Sequence, residues 1–266
     1  MKIQNLFNCK RSYAVHGTQG GISTAITLPE GFNPATGKCP MVILMHGFMA
    51  KKNMHPMPMI AKELAKQGIA SIRFDFNAHG KSEGRFIDMT IANEIDDAKA
   101  VLSYVKTLPY VSEVAFLGHS QGGVIAGMLA GMLEGTPDRP VCMVQLASAA
   151  VLKDDAIAGQ CMNAKYDPAN PPEYVNVMFH KLGRTFILAA QKLPIFETSA
   201  LYTGPVCLIH GTEDKIVPLR YSKEYDSLYK DSVLHIIEGE GHFLRKKKDQ
   251  VVSVAVNFLK DKLSVQ

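Results

Sequence analysis

The stretch Val114-Ala115-Phe116-Leu117-Gly118-His119-Ser120-Gln121-Gly122-Gly123-Val124-Ile125-Ala126-Gly127 decides how this 266-residue chain is read. Four apolar residues run into Gly118, and small and apolar residues follow Gly122, which predicts a buried strand turning sharply into a helix. Glycine is needed two residues either side of Ser120, because a Cβ at either place would strike backbone in so tight a turn. Ser120 itself is predicted to be strained, with its Oγ presented above the carboxyl edge of a sheet. The alternative is an ordinary strand-to-helix turn, which the flanking strand and helix disfavour.

Outward from this elbow, short β-rich apolar runs alternate with helical periodicity. Strands are predicted at Met41–Met45, Ile69–Phe74, Val114–Leu117, Val141–Leu146, Val206–Ile209 and Val233–Ile237. Helices are predicted around Met59–Gln67, Ile91–Thr107, Gln121–Leu133, Arg220–Tyr229 and Lys246–Leu263. Near-continuous apolar strands alternating with helices imply an α/β fold, with a mostly parallel central sheet covered on both faces. Between Arg11 and Pro29 a rough alternation around Gly20-Gly21 predicts an antiparallel hairpin turning at that glycine pair. From Ala147 to Thr203 no strand is evident, and Pro168, Pro171, Pro172 and Pro194 punctuate helical fragments. A loop of that length without structure of its own is improbable, so an inserted subdomain of short helices is predicted. The chain therefore divides into a core at 1–149, an insertion at 150–203 and the rest of the core at 204–266.

Composition narrows the function classes. With 47% hydrophobic and 20% charged residues the chain is neither a disordered tail nor a fibre, and its length permits one large core. A net charge of +4 with scattered basic residues gives no sign of nucleic-acid binding. The single basic run, Arg245-Lys246-Lys247-Lys248, reads as a solvated helix face in preference to a phosphate or anionic-membrane patch. Cys9, Cys39, Cys142, Cys161 and Cys207 are odd in number and widely spaced, the pattern of a reducing compartment. No run of about 18 apolar residues or signal-like segment occurs, so a cytoplasmic protein without a membrane partner is expected. The sequence leaves the oligomeric state open, a homodimer included. No Cys/His/Asp spacing suggests a metal, and no glycine-rich phosphate loop is present, so neither metal nor cofactor is expected.

A serine hydroxyl needs a base to take its proton, and histidine suits that task near neutrality. In a strand–serine–helix elbow of this kind the chain order is serine, acid, histidine. That order leaves His180, His210, His235 and His242. Of these, His242 in Gly239-Glu240-Gly241-His242-Phe243 follows the last strand in a glycine-flanked loop and is the candidate base. Asp214, just beyond the strand ending at Ile209, is the candidate acid, with Glu213 its adjacent competitor; Asp75 precedes the serine and reads as a structural loop carboxylate. Two amides facing a developing oxyanion complete such a site. One is the N–H of Gln121 at the helix start, and the candidate for the other is Phe48 in His46-Gly47-Phe48, after the Met41–Met45 strand.

These motifs resemble the α/β-hydrolase superfamily, and within it the bacterial cinnamoyl (feruloyl) esterases. The likeness spans nearly the whole chain. It rests on His46-Gly47-Phe48, the stretch Arg73-Phe74-Asp75-Phe76-Asn77-Ala78-His79-Gly80-Lys81-Ser82-Glu83-Gly84, Met89-Thr90 with Asn93-Glu94, the elbow, and Cys207-Leu208-Ile209-His210-Gly211-Thr212-Glu213-Asp214. The resemblance implies an α/β-hydrolase fold with Ser120 as nucleophile, His242 as base, Asp214 as its orienting acid, and Phe48 and Gln121 as the oxyanion hole. It further implies that the insertion forms a lid over the acyl pocket, with Asp155 and Gln160 placed to meet the ring hydroxyl of a hydroxycinnamate. Phe186 stands where that family would have tyrosine, and the chain has no tryptophan to close the lid. The implied partner is a small-molecule ester. A general short-acyl esterase, thioesterase or acyltransferase would use the same groups. A non-catalytic ligand-binding protein of this fold is the reading from another class.

Overall fold

A computed structural model describes residues 12–265; Cys9, and Arg11 at the start of the expected hairpin, lie outside them. In chain order the elements begin with strands β1 (Val15–Gly17), β2 (Gly20–Ile22), β3 (Thr24–Thr27) and β4 (Cys39–Met45). Helix α1 (Met57–Lys66), β5 (Ala70–Phe74), α2 (Ile91–Lys106), β6 (Val111–His119), α3 (Gln121–Met132) and β7 (Met143–Leu146) follow. Next come α4 (Val151–Ile157), β8 (Gln160–Cys161), β9 (Ala164–Lys165), β10 (Tyr174–Val177), β11 (His180–Gly183), α5 (Arg184–Ala190) and α6 (Ile195–Ser199). The chain closes with β12 (Val206–Gly211), α7 (Arg220–Leu228), β13 (Ser232–Ile237) and α8 (Lys248–Lys262).

Seven strands form the central sheet in the order β13-β12-β7-β6-β4-β5-β3, parallel except for the antiparallel edge pair β3 and β5. Successive residues of β4 show why its sequence is apolar throughout. Met41, Ile43 and Met45 face one packed layer, with Val124, Ile125 and Leu129 of α3, while Val42 and Leu44 face the other, with Ile60 and Leu64 of α1 and Val251 and Leu259 of α8. Both faces are dry, so neither half of the period-2 pattern can be polar. Helix α3 is buried along almost its whole length because it is sandwiched between the sheet and the 150–203 stretch: a Cβ on Gly131 would lie 1.9 Å from the Thr198 carbonyl oxygen.

Three expectations need correction. The opening hairpin is present as β1 and β2, but the chain reverses at Thr18-Gln19, and Gly20, at φ +117°, pairs with Gly17. The 150–203 stretch contains two small antiparallel hairpins, β8–β9 and β10–β11, besides three short helices, where helices alone were expected. The last helix starts at Lys248 instead of Lys246, because the buried Glu240 carboxylate accepts the Lys246 and Lys247 amides and holds them in a loop. Among the described residues no helix is long and apolar enough to cross a membrane.

The parallel strands deliver their carboxyl ends to one edge. His46 follows β4, Ser120 follows β6, Ala147 follows β7, and the loops bearing Asp214 and His242 follow β12 and β13. Register then sets the neighbours: Met45 pairs with Gly118, so Gly47 comes alongside Ser120, where an added Cβ would meet the Ser120 Cβ at 2.9 Å.

Candidate active site

Ser120 adopts φ 56°, ψ −122°, a left-handed conformation that costs an L-residue about 1–3 kcal/mol. Its neighbours hold it there. The Ser120 amide donates to the Leu146 carbonyl at 2.9 Å, and the Ser120 carbonyl accepts from the amides of Gly123, Val124 and Ala149. The two glycines give the turn its room: a Cβ on Gly118 would lie 2.1 Å from the Gly122 carbonyl oxygen, and one on Gly122 would lie 2.3 Å from that of Met45.

The residues singled out in the sequence come together around this serine. The Ser120 hydroxyl donates to His242 Nε2 at 2.9 Å, and His242 Nδ1–H donates to Asp214 Oδ2 at 2.7 Å. Asp214 Oδ1 accepts from the Ile216 and Val217 amides at 2.9 and 2.8 Å, so the carboxylate is fixed on both oxygens. Burial alone would raise the Asp214 pKa; hydrogen bonds from His210 and His242 outweigh it and hold the group well below the usual carboxylate range. Asp214 is therefore ionised at neutral pH, as a group that must stabilise an imidazolium has to be. The competitor Glu213 is exposed and pairs with Lys246, and Asp75 is a buried partner of Lys52 at 2.6 Å.

The amides of Phe48 and Gln121 donate to no partner among the described residues. The orientation of the first is set by His46. The Phe76 amide donates to His46 Nε2 at 3.1 Å, which leaves the proton on Nδ1, and that N–H donates to the Gly47 carbonyl at 2.8 Å. Because C=O and N–H of one trans peptide point in opposite directions, fixing the Gly47 oxygen fixes the Phe48 N–H. Burial, assisted by repulsion from His79, lowers the His46 pKa to about 3, so the ring stays neutral and keeps this tautomer. Gln121 is held from the same side, its Nε2 donating to the buried Glu94 at 2.6 Å.

A pocket of about 580 Å³, its open mouth included, is lined by Ser120, Gln121, Phe48, Phe186, Asp155 and Gln160 among others. The two polar residues meet, Gln160 Nε2 donating to Asp155 Oδ1 at 2.8 Å, and Tyr166, whose hydroxyl donates to the Gln160 carbonyl at 3.1 Å, lines the same space.

The family described as Serine aminopeptidase, S33 (Hydrolase_4) matches residues 38–186, more than half of the chain. The chain belongs to this family. Est1E from Butyrivibrio proteoclasticus, solved with ferulic acid bound, superposes on it with a TM-score of 0.86 at 28% identity, covering 91% of this chain and 95% of Est1E. The mitochondrial palmitoyl-protein thioesterase ABHD10 of Mus musculus is 27% identical over 239 residues, 86% of this chain and 77% of its own. The AB hydrolase superfamily protein YisY of Bacillus subtilis (strain 168) is 23% identical over 248 residues, 82% of this chain and 90% of its own. This Hydrolase_4 member is thus an α/β serine hydrolase.

Several residues of the Hydrolase_4 site escaped the sequence reading. His210, one of the four histidines that the chain order left, turns its Nε2 toward Asp214 Oδ2 at 3.3 Å and accepts at Nδ1 from the Ser222 hydroxyl at 2.6 Å. Its signal was its position four residues before the acid. Glu94 and His79, 3.7 Å apart, carried no local signal of their own. Nor did Asp97, which is fully buried on α2 and accepts the Asn77 amide at 2.7 Å.

Burial pushes the Asp97 pKa from 3.8 up to about 6. A carboxyl with a raised native pKa binds more protons folded than unfolded, so the native state loses stability as pH rises from about 4 through 6. Asp97→Asn, which cannot ionise, should escape that loss. The difference in unfolding free energy between variant and wild type should shift toward the variant by roughly 2–3 kcal/mol between pH 4 and 7. Denaturant melts at the two pH values check this, and a difference that does not move with pH contradicts it.

Proposed function

We propose that the chain is a serine carboxylester hydrolase that works through an acyl-enzyme and prefers hydroxycinnamate esters such as ferulate, coumarate or caffeate. Ser120 Oγ attacks the ester carbonyl while His242 Nε2 takes its proton, and the developing oxyanion accepts from the Phe48 and Gln121 amides. His242 then gives that proton to the departing alcohol. Water, activated by the same nitrogen, releases the acid and restores the serine. Asp214 keeps the imidazole in the required tautomer and balances its charge while it is protonated.

The observation that carries the acyl preference is the pocket beside Ser120. Phe48 and Phe186, with ring centroids 6.1 Å apart, supply flat apolar walls, and Asp155 with Gln160 supplies an acceptor and a donor for a phenol. Tyr166, a further hydroxyl in the lining, stands as the polar aromatic where Phe186 has none. The 150–203 stretch, which contributes several of these residues, is read as the lid, and a cytoplasmic location completes the proposal. The four described cysteines are free thiols, which supports that location.

A thioester substrate is the second reading, favoured by the likeness to mouse ABHD10. Steady-state kinetics with methyl ferulate, naphthyl acetate and an acyl-CoA separate the two. The proposal predicts the highest kcat/KM for methyl ferulate. Aliphatic ester or thioester turnover faster by a hundredfold would remove the hydroxycinnamate assignment.

A further inference from the structure

The proton delivered by His242 Nε2 must reach the leaving atom, so the alcohol half of the substrate lies on the His242 side of Ser120. The acyl pocket opens elsewhere: its lining comes from Phe48, the elbow, the 149–186 stretch and Ile216-Val217, and it includes neither His242 nor Phe243. On the His242 side the chain shows an unusual surface. Phe243, next to the candidate base, is 56% exposed, with its ring centroid 5.6 Å from that of His242. The Arg245 guanidinium carbon lies 5.7 Å from the Phe243 ring centroid. Lys247 and Lys248 follow at the start of α8 and are exposed.

Charge makes this surface stand out. Lys246 is neutralised by Glu213, whereas Arg245, Lys247 and Lys248 form no ion pair among the described residues. Lys247 is the N-cap and Lys248 the first residue of α8, with Asp249 the only acid in the first turn. Cationic side chains at the positive end of a helix are unfavourable. The acidic groups nearby leave these three side chains unpaired: Glu213 is occupied by Lys246, and the buried Glu240 carboxylate spends its oxygens on the backbone amides of Gly241, Lys246 and Lys247.

We propose that Phe243, Arg245, Lys247 and Lys248 form a leaving-group subsite for an alcohol or thiol that carries an anion, carboxylate or phosphate, a few bonds from the leaving atom. The ring packs against the carbon frame of that group. Arg245, one ring beyond His242, takes the anion by charge-assisted hydrogen bonds, and the two lysines raise its local concentration. The inference rests on the serine-esterase reading, since it uses His242 as the proton donor to the leaving atom.

The test compares esters that share an acyl group and differ only in the alcohol: cyclohexanol, 3-hydroxycyclohexanecarboxylate and 3-hydroxycyclohexyl phosphate, each as feruloyl and as butyryl ester. The readout is the ratio of kcat/KM for the anionic ester to that for the neutral one. It should exceed tenfold at low salt, shrink as ionic strength rises, and fall toward one in Arg245→Ala and in Lys247→Ala/Lys248→Ala. Arg245→Lys should retain part of it, and Lys260→Ala, at the far end of α8, should leave it unchanged. The carboxylate and phosphate arms tell which anion is preferred. A ratio near one in the wild type, or a ratio that survives both basic-site variants, overturns the subsite while hydrolysis of the neutral esters leaves the esterase reading standing. Failure to hydrolyse any of the esters overturns both.

Discussion

Ser120→Ala is expected to lower kcat by about 10⁴-fold or more on any ester the wild type cleaves, with the fold and melting temperature little changed. The reasoning is geometric. The Ser120 hydroxyl donates to His242 Nε2 at 2.9 Å, and among the described residues no other hydroxyl bonds that nitrogen. His242→Ala should cost about as much, and Asp214→Asn roughly 10³- to 10⁴-fold, because an amide oxygen can still be approached by Nδ1–H but no longer balances an imidazolium. Non-additivity is the sharper signature. Groups that act as one unit are disabled together, so the Ser120→Ala/His242→Ala double variant should be hardly slower than either single variant. Multiplicative losses would mean that the two side chains act separately, whatever their distance.

The second large effect concerns the turn itself. Gly122→Ala should cost several kcal/mol, lower the melting temperature by about 10 °C or more, and abolish activity, whereas Gly123→Ala should be far milder. The two neighbours differ in what an added Cβ would meet. At Gly122 it strikes the carbonyl oxygens of Met45 and His46 at 2.3 and 2.5 Å, atoms of the central strand β4 and of the loop that presents Phe48. Neither can move without dislodging that loop. At Gly123 the nearest atom is the Ser148 hydroxyl at 2.2 Å, which a change of rotamer can remove, although the Ser148 Cβ and Cα at 3.1 and 3.2 Å still press on it. Thermal melts of the two variants with a common ester assay check this, and equal losses would show that the backbone contact does not set the limit.

What could be read from the sequence was what is local. The elbow needs only consecutive residues, and Val114–Leu117 with Gly118 and Gly122 declares it; the observed β6 extends that strand to Val111–His119. Apolar runs buried on both faces fixed the parallel sheet in the same way. The order serine, acid, histidine, together with the loops that follow the last two strands, then pointed to Asp214 and His242, whose contacts with each other and with Ser120 span 28 and 122 residues.

Two kinds of feature stayed hidden. The β10–β11 hairpin turns at Met178-Phe179, a pair without glycine or asparagine; Met178 takes φ 52° because its amide is held by Asn163, 15 residues away. No turn signal exists there to be read. The buried polar cluster of His46, His79, Glu94 and Gln121 beside Ser120 gathers from four separate segments, and each residue alone looks like an ordinary polar side chain. Asp155 and Gln160, named from resemblance, do line the pocket, and their mutual hydrogen bond appears only in three dimensions.

The central claim, that the Ser120 hydroxyl is the attacking group, is tested most directly by intact-mass and peptide-mass measurement after incubation with a fluorophosphonate. The account predicts one phosphonyl group per chain, on Ser120, formed quickly in the wild type, slowly in His242→Ala and not at all in Ser120→Ala. An adduct on any other residue, or a wild-type chain that remains unlabelled while it hydrolyses esters, would contradict it.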